Sequence, residues 1–110
     1  MSERIKKVNE LIKQEVNAIL LKEVDFGNAI VTITDVDTSS GLKHAKIKII
    51  IYPERLTEEV FQILEKNIYD VQQVLNKRLK MKYVPKIKFE IDKIEVEAQK
   101  LEKTLKRIDK

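Results

Sequence analysis

Residues 29–52, AIVTITDVDTSSGLKHAKIKIIIY, contain two stretches of alternating apolar and polar side chains around a short polar segment. Alternation with period two is typical of a strand that buries one face, so we predict strands over 29–36 and 45–52. The segment DTSSG suits a turn, because Asp and Ser side chains bond the local backbone and Gly tolerates a positive φ. Pro53 ends the second strand because it has no N–H for the ladder.

Helical periods lie on both sides of this hairpin. Before it, apolar residues recur every three or four positions over roughly 2–22, and Ser2 can cap the first turn. After it, the same period runs without interruption over roughly 57–79. A third strand is predicted over 87–91, where Ile and Phe alternate with Lys and Glu. An amphipathic stripe over 94–110 predicts a last helix.

The order α-β-β-α-β-α predicts an α+β domain in which two long helices cover one face of a three-stranded sheet. Residues 1–92 would form this domain, and 93–110 would form a C-terminal amphipathic helix or tail that packs on it. The covered face should carry an apolar set: Val31, Ile33, Ile47, Ile49, Ile87, Phe89 and Ile91. Alternation places a polar set on the open face: Thr32, Thr34, Lys46, Lys48, Lys86 and Lys88.

The composition excludes most catalytic and metal-binding classes. The 110 residues include no Cys and one His, His44, which rules out thiol nucleophiles, disulfides and poly-His metal centres. Asp35 and Asp37 could pair for acid–base or metal chemistry, but two carboxylates beside a turn more often bond the local backbone. We therefore expect no enzyme, cofactor or metal. The absence of a signal-like segment or of an apolar run near the ~18 residues of a membrane helix predicts a cytoplasmic protein without membrane contact.

The net charge of +4 is small but unevenly distributed. Residues 54–76 carry five acidic and two basic side chains, whereas 77–93 carry seven basic and two acidic ones. Clustered lysines can hold phosphates without reading sequence, which predicts an RNA-binding surface. A solvated sheet edge whose lysines resist aggregation is an equal alternative. The candidate RNA contacts are Lys77, Arg78, Lys80 and Lys82 first, then Lys43, Lys46, Lys48, Lys86 and Lys88.

Three segments of the chain match the pattern of a known family in order and spacing. They lie in the first helix, in the hairpin and around the start of the third strand: Arg4, Val8, Ile12, Glu15 and Glu23; residues 31–36, Ser39, Leu42 and residues 45–47; Arg78, Leu79, Met81, Val84, Pro85 and Phe89. On these residues the sequence resembles ribosome-binding factor A, a bacterial assembly factor of the small ribosomal subunit. The resemblance covers roughly residues 4–92.

The resemblance implies a KH-like fold of the type II order with an added C-terminal helix. We also expect a monomeric, non-catalytic protein without a small-molecule substrate. Such a protein would bind the immature 30S subunit and its 16S rRNA and assist late maturation and rRNA processing. The family has a helix–kink–helix with Ala-x-Gly where this chain has Asn67, Ile68 and Tyr69. Without that Gly, the unbroken apolar stripe through Ile68 favours a straighter helix.

A second function class stays open: a protein-interaction or structural αβ module that uses the C-terminal helix and has no ribosome role. Salt dependence separates the two, because phosphate contacts release counterions and weaken steeply with salt, whereas apolar docking does not. Three aromatic side chains have two interpretations, of which partial packing at the core margin is the more common for such residues. Tyr52, Tyr69 and Tyr83 could stack on RNA bases, or they could pack at the margin of the core.

Overall fold

The computed structural model describes the backbone of residues 2–108 and the side chains of residues 2–103. Its elements are α1 Glu3–Glu23, β1 Ile30–Thr38, β2 His44–Tyr52, a 3-10 turn Glu54–Leu56, α2 Thr57–Arg78, β3 Lys86–Ile91 and α3 Lys93–Ile108. The predicted order α-β-β-α-β-α and the α+β class are confirmed. Within residues 2–108, no helix is both long enough and apolar enough to span a membrane.

The three strands form one sheet in the order β1-β2-β3. β1 pairs antiparallel with β2 through the predicted hairpin, whereas β2 pairs parallel with β3. A parallel pair needs a long crossover connection, and α2 supplies it. Both β1 and β3 are therefore edge strands, and each edge receives a side chain from a helix. Asn9 of α1 accepts a hydrogen bond from the N–H of Thr38 (3.0 Å), and Gln72 of α2 accepts one from the N–H of Ile87 (2.8 Å).

A β-bulge interrupts the alternation of β1. Ile33 lies opposite Ile49 and Asp35 lies opposite Lys48, so Thr34 is the extra residue. Beyond the bulge the buried positions change from odd to even numbers, and Val36 and Thr38 are both buried. The strand therefore ends two residues later than the predicted 29–36, and Val36 joins the covered face.

The core lies between the sheet and the apolar stripes of α1 and α2. Of the predicted covered face, Ile33, Ile47, Ile49, Ile87 and Phe89 are buried, while Val31 and Ile91 are half-buried at its margins. The helices, with the residue that directly follows α2, contribute a second buried set: Val8, Ile12, Val16, Ile19, Leu20, Val60, Leu64, Val71, Leu75 and Leu79. Each fully buried Val, Leu, Ile or Phe stabilises the fold by roughly 1.5–3 kcal/mol relative to an exposed one. This burial fixes the two helices on one side of the sheet.

The last helix is joined to the sheet at Asp92. The N–H of Asp92 donates to the carbonyl of Ile49 (2.8 Å), and its carboxylate accepts from the N–H of Glu95 (3.0 Å), which caps the start of α3. A Lys100–Glu54 ion pair of 3.1 Å links α3 to the 3-10 turn. On the predicted apolar stripe, Ile94 is 80% exposed and Leu101 is 62% exposed. The stripe's other members, Leu105 and Ile108, lie outside the described side chains.

Candidate nucleic-acid interface

A basic cleft opens at the end of the sheet where β2 and β3 begin. Its volume is about 800 Å³, and its walls come from the start of α1, the hairpin turn and the segment between α2 and β3. Four cationic side chains line it: Arg4, Lys43, Lys80 and Lys82. Of the described residues that form the walls, none is Asp or Glu. An anion that enters the cleft therefore meets positive charge from three separate parts of the chain.

Ser39 positions Lys43 at the edge of this cleft. Its hydroxyl oxygen accepts hydrogen bonds from the N–H groups of Lys43 (3.2 Å) and His44 (3.1 Å), while its own N–H donates to the carbonyl of His44 (2.8 Å). The carbonyl of Lys43 accepts from the N–H of Lys86 at 2.9 Å, which ties the turn to β3. The turn's positive φ falls on Leu42, at 59°, and not on Gly41 as the sequence suggested.

Buried anchors hold the opposite wall. Leu79 and Pro85 are both buried, so residues 80–84 project between two fixed points. Gln72 reinforces the second anchor: its amide nitrogen donates to the carbonyl of Pro85 (3.1 Å) while its amide oxygen accepts from the N–H of Ile87 (2.8 Å). The cations Lys80 and Lys82 are therefore carried on a short, tethered segment.

Tyr83 presents an aromatic ring at the cleft. It is 76% exposed, and the ammonium of Lys82 lies 5.6 Å from the centre of its ring, within cation–π range. Tyr52 and Tyr69, the other two candidate stacking residues, are also exposed. Packing at the core margin, the alternative interpretation, does not describe these exposed positions, and of the three rings Tyr83 is the one that lines the cleft.

The structure brings together only part of the first-ranked basic set. Lys80 and Lys82 line the cleft, and Lys43 from the second-ranked set joins them. Arg78 instead points its guanidinium Nε at the carboxylate of Glu15 on α1, and it does not line the cleft. Lys77 is exposed in the last turn of α2, where the helix dipole favours a cation.

The remaining lysines share the open face of the sheet, as predicted. Lys46 lies opposite Lys88, and His44 lies opposite Lys86. The register also brings carboxylates to this face, because Asp37 lies opposite Lys46 on its other side and Asp35 lies opposite Lys48. Glu90 is the β3 neighbour of Lys48. Positive and negative groups therefore alternate here, and the open face is a weaker attractor for phosphates than the cleft.

The kink position of the resembled family lies in the middle of α2. The helix runs continuously from Thr57 to Arg78, and the side chain of Asn67 donates to the carbonyl of Ile63 at 2.8 Å. Ile68 is half-buried against the core, and Tyr69 faces solvent. The three positions therefore lie inside one uninterrupted helix.

Two residues that line or support the cleft, Arg4 and Gln72, were not among the RNA contacts predicted from the sequence. Arg4 stands about forty positions before Lys43 in the chain, and only the docking of α1 beside the hairpin turn brings the two together. Gln72 has no charge and lies in an acidic stretch, so only its two contacts reveal that it supports the wall. Among the described residues, no group of three or more His, Asp or Glu is placed to hold a metal ion.

Curated proteins that are similar to this chain include ribosome-binding factor A proteins from several bacteria. A ribosome-binding factor A from Halothermothrix orenii is 31% identical over 108 residues, covering 96% of this chain and 88% of the relative. A ribosome-binding factor A from Gloeothece citriformis is 37% identical over 90 residues, covering 78% of this chain and 69% of the relative.

Solved structures agree with the fold. The crystal structure of ribosome-binding factor A from Thermus thermophilus superposes with a TM-score of 0.64 at 15% identity, covering 79% of this chain and 94% of that one. A solution structure of a Thermotoga maritima protein gives a TM-score of 0.67 at 20% identity, covering 82% and 88%. The family model of ribosome-binding factor A matches residues 4–105. The chain therefore belongs to the ribosome-binding factor A family.

Proposed function

We propose that this protein is a ribosome-binding assembly factor that binds the immature 30S subunit through 16S rRNA and assists its late maturation. It would act as a cytoplasmic monomer, without covalent chemistry. Family membership supports the ribosomal role. The observation that carries the RNA contact is the basic cleft, where four cations from three segments line one cavity and no acidic side chain is present among the described lining residues.

The cleft would work by holding phosphates in one arrangement. Lys43, Lys80 and Lys82, with Arg4, would contact the rRNA backbone, and Lys77 would add a more peripheral charge. The sheet lysines Lys46, Lys48, Lys86 and Lys88 would contribute less, because carboxylates alternate with them. Binding energy spent on one rRNA conformation raises the population of that conformation, which is how a non-catalytic factor can promote maturation.

Co-sedimentation with purified ribosomal subunits tests this function. The full chain should pellet with 30S subunits and not with 50S subunits. The bound fraction should fall steeply between about 50 and 200 mM salt, because each neutralised phosphate releases condensed counterions. Equal binding to both subunits, or no pelleting with immature 30S particles at low salt, would contradict the proposal.

A protein-binding role for α3 is the second candidate, and it rests on the exposed apolar positions Ile94 and Leu101. Two exposed aliphatic side chains on one amphipathic helix suit a partner's groove. The variant I94S/L101S should then lose binding to a protein partner whose affinity does not depend on salt concentration, while it keeps RNA binding. If instead this variant pellets with 30S subunits as the wild type does and shows no other deficit, the second candidate is removed.

A further inference from the structure

We propose that the basic cleft takes an unpaired RNA nucleotide, whose base stacks on Tyr83 and whose flanking phosphates are held by the surrounding cations. The ring of Tyr83 is 76% exposed although it stands beside the apolar side chains of Met81 and Val84. Exposure alone does not distinguish this ring, since Tyr52 and Tyr69 are also exposed. Its position does, because Tyr83 shares the cleft with the four cationic side chains.

The arrangement around the ring selects an aromatic ligand that carries negative charge. The ammonium of Lys82 lies 5.6 Å from the centre of the Tyr83 ring, so a cation stands beside the ring. Because Tyr83 is largely exposed, part of its ring surface is open to a second planar group. Lys43 and Lys80 stand in the same cleft and can pair with the phosphates on either side of a base. A nucleotide joins these two requirements, because every base has a π-face and every linkage has a charge.

Unpaired RNA fits this geometry and duplex RNA does not. In a duplex each base is covered on both faces by its neighbours, so a protein side chain reaches only groove edges and the backbone. A single-stranded or bulged nucleotide can expose its base to an aromatic ring. The cleft, at about 800 Å³, has room for such a base, and Leu42 and Val84 give it apolar walls.

This inference rests on the proposed function only for the claim that the RNA comes from the small subunit. An experiment with oligonucleotides tests the stacking inference separately from the ribosomal function. The probes are a labelled, unstructured single-stranded RNA of about ten nucleotides and a blunt duplex of the same length. The variants are Tyr83→Ala, Tyr83→Phe and the matched control Tyr52→Ala. Tyr52 is 64% exposed and lies at the other end of β2, roughly 26 Å from the cleft at the rise of a strand.

Tyr83→Ala should weaken single-strand binding by about 5- to 150-fold, the range seen for loss of one stacked base. Tyr83→Phe should stay within about twofold of the wild type because the ring is kept. Tyr52→Ala should bind like the wild type, and duplex binding should be unaffected by all three changes. If Tyr83→Ala binds single strands as the wild type does, or loses duplex binding equally, the stacking inference is overturned.

Tyrosine fluorescence gives a second readout that does not depend on affinity. The chain has three Tyr and no Trp, so the variant Y52F/Y69F emits from Tyr83 alone. Single-stranded RNA should quench this emission at saturation, and the duplex should not. Loss of 30S pelleting with intact single-strand stacking would refute the ribosomal function alone, and 30S pelleting that survives without stacking would refute this inference alone.

Discussion

Ser39 is the residue that gives the hairpin turn its shape. Its hydroxyl oxygen accepts hydrogen bonds from the backbone N–H groups of Lys43 and His44. Without that hydroxyl, both N–H groups must bond to water instead. We expect Ser39→Ala to lower the free energy of unfolding by about 1 kcal/mol, the ordinary net value of an exposed hydrogen-bonded turn residue. Urea unfolding measures this, with Ser40→Ala as the matched control one position away. Equal midpoints for the two variants would show that the turn does not depend on Ser39.

Asp92 makes stability depend on pH at the base of α3. The hydrogen bond from the hydroxyl of Thr34 (2.5 Å), followed by the bond from the N–H of Glu95, lowers the pKa of the Asp92 carboxyl below its ordinary value of 3.8. A group with a lowered pKa stabilises the fold above its unfolded pKa and loses that contribution as pH falls through the folded one. The stabilisation should therefore be complete above about pH 4 and disappear in more acidic solution.

The variant Thr34→Val tests this directly, because it removes the larger cause and keeps the β-branched shape. Its urea midpoint should lie below that of the wild type at pH 7, and the difference should shrink at about pH 2–3. Thr32→Val, on the same strand and exposed, should show a difference that does not change with pH. A constant difference for Thr34→Val across this range would contradict the assigned cause.

At the scale of elements, Gln72 connects α2 to the segment that carries the cleft's cations. It satisfies the carbonyl of Pro85 and the outward N–H of the edge strand at Ile87. Gln72→Ala should destabilise the fold by about 1–3 kcal/mol, since a partly buried donor and acceptor lose their partners. The neighbouring Gln73→Ala, at an exposed position, should change stability by less than about 0.5 kcal/mol. Thermal unfolding of the two variants measures this difference. Similar unfolding midpoints would show that Gln72 does not bridge α2 to the segment before β3.

The elements themselves were largely predictable, and the exceptions have local physical causes. Periods of 2 and 3.6 were enough to find the three strands and the α-helices of the described chain, because α1, α2 and the strands each bury one face and α3 carries an apolar stripe. The bulge at Thr34 was missed because strict alternation cannot accommodate an extra residue. The sequence did contain a sign of the bulge, because the apolar residues Ile33 and Val36 are three positions apart, whereas regular alternation would separate them by two or four. The positive φ was assigned to Gly41 on conformational preference, whereas the bonds made by Ser39 place it on Leu42.

At the scale of the whole molecule, the fold concentrates charge that the sequence spreads out. Local counts identified Lys80 and Lys82 because they are neighbours in the chain. Arg4 and Lys43 become part of the same cleft only through the packing of α1 and the hairpin turn. The reverse also occurs: Glu15 forms an ion pair with Arg78, and the register places Asp35 and Asp37 opposite Lys48 and Lys46. A charge count along the chain could not show either pairing, since both depend on register and helix docking.

The central claim is that this cleft, and not the net positive charge, holds RNA of the small subunit. The direct measurement is the salt dependence of 30S binding for R4A/K43A/K80A/K82A. The matched control, K22A/K66A/K93A/K103A, removes the same number of charges from exposed positions elsewhere. The cleft variant should remain folded, bind at least about tenfold more weakly, and show a slope of log K against log salt reduced by about 3, whereas the control should retain most of both. Equal losses in the two variants would contradict the account, because they would show that binding follows total charge.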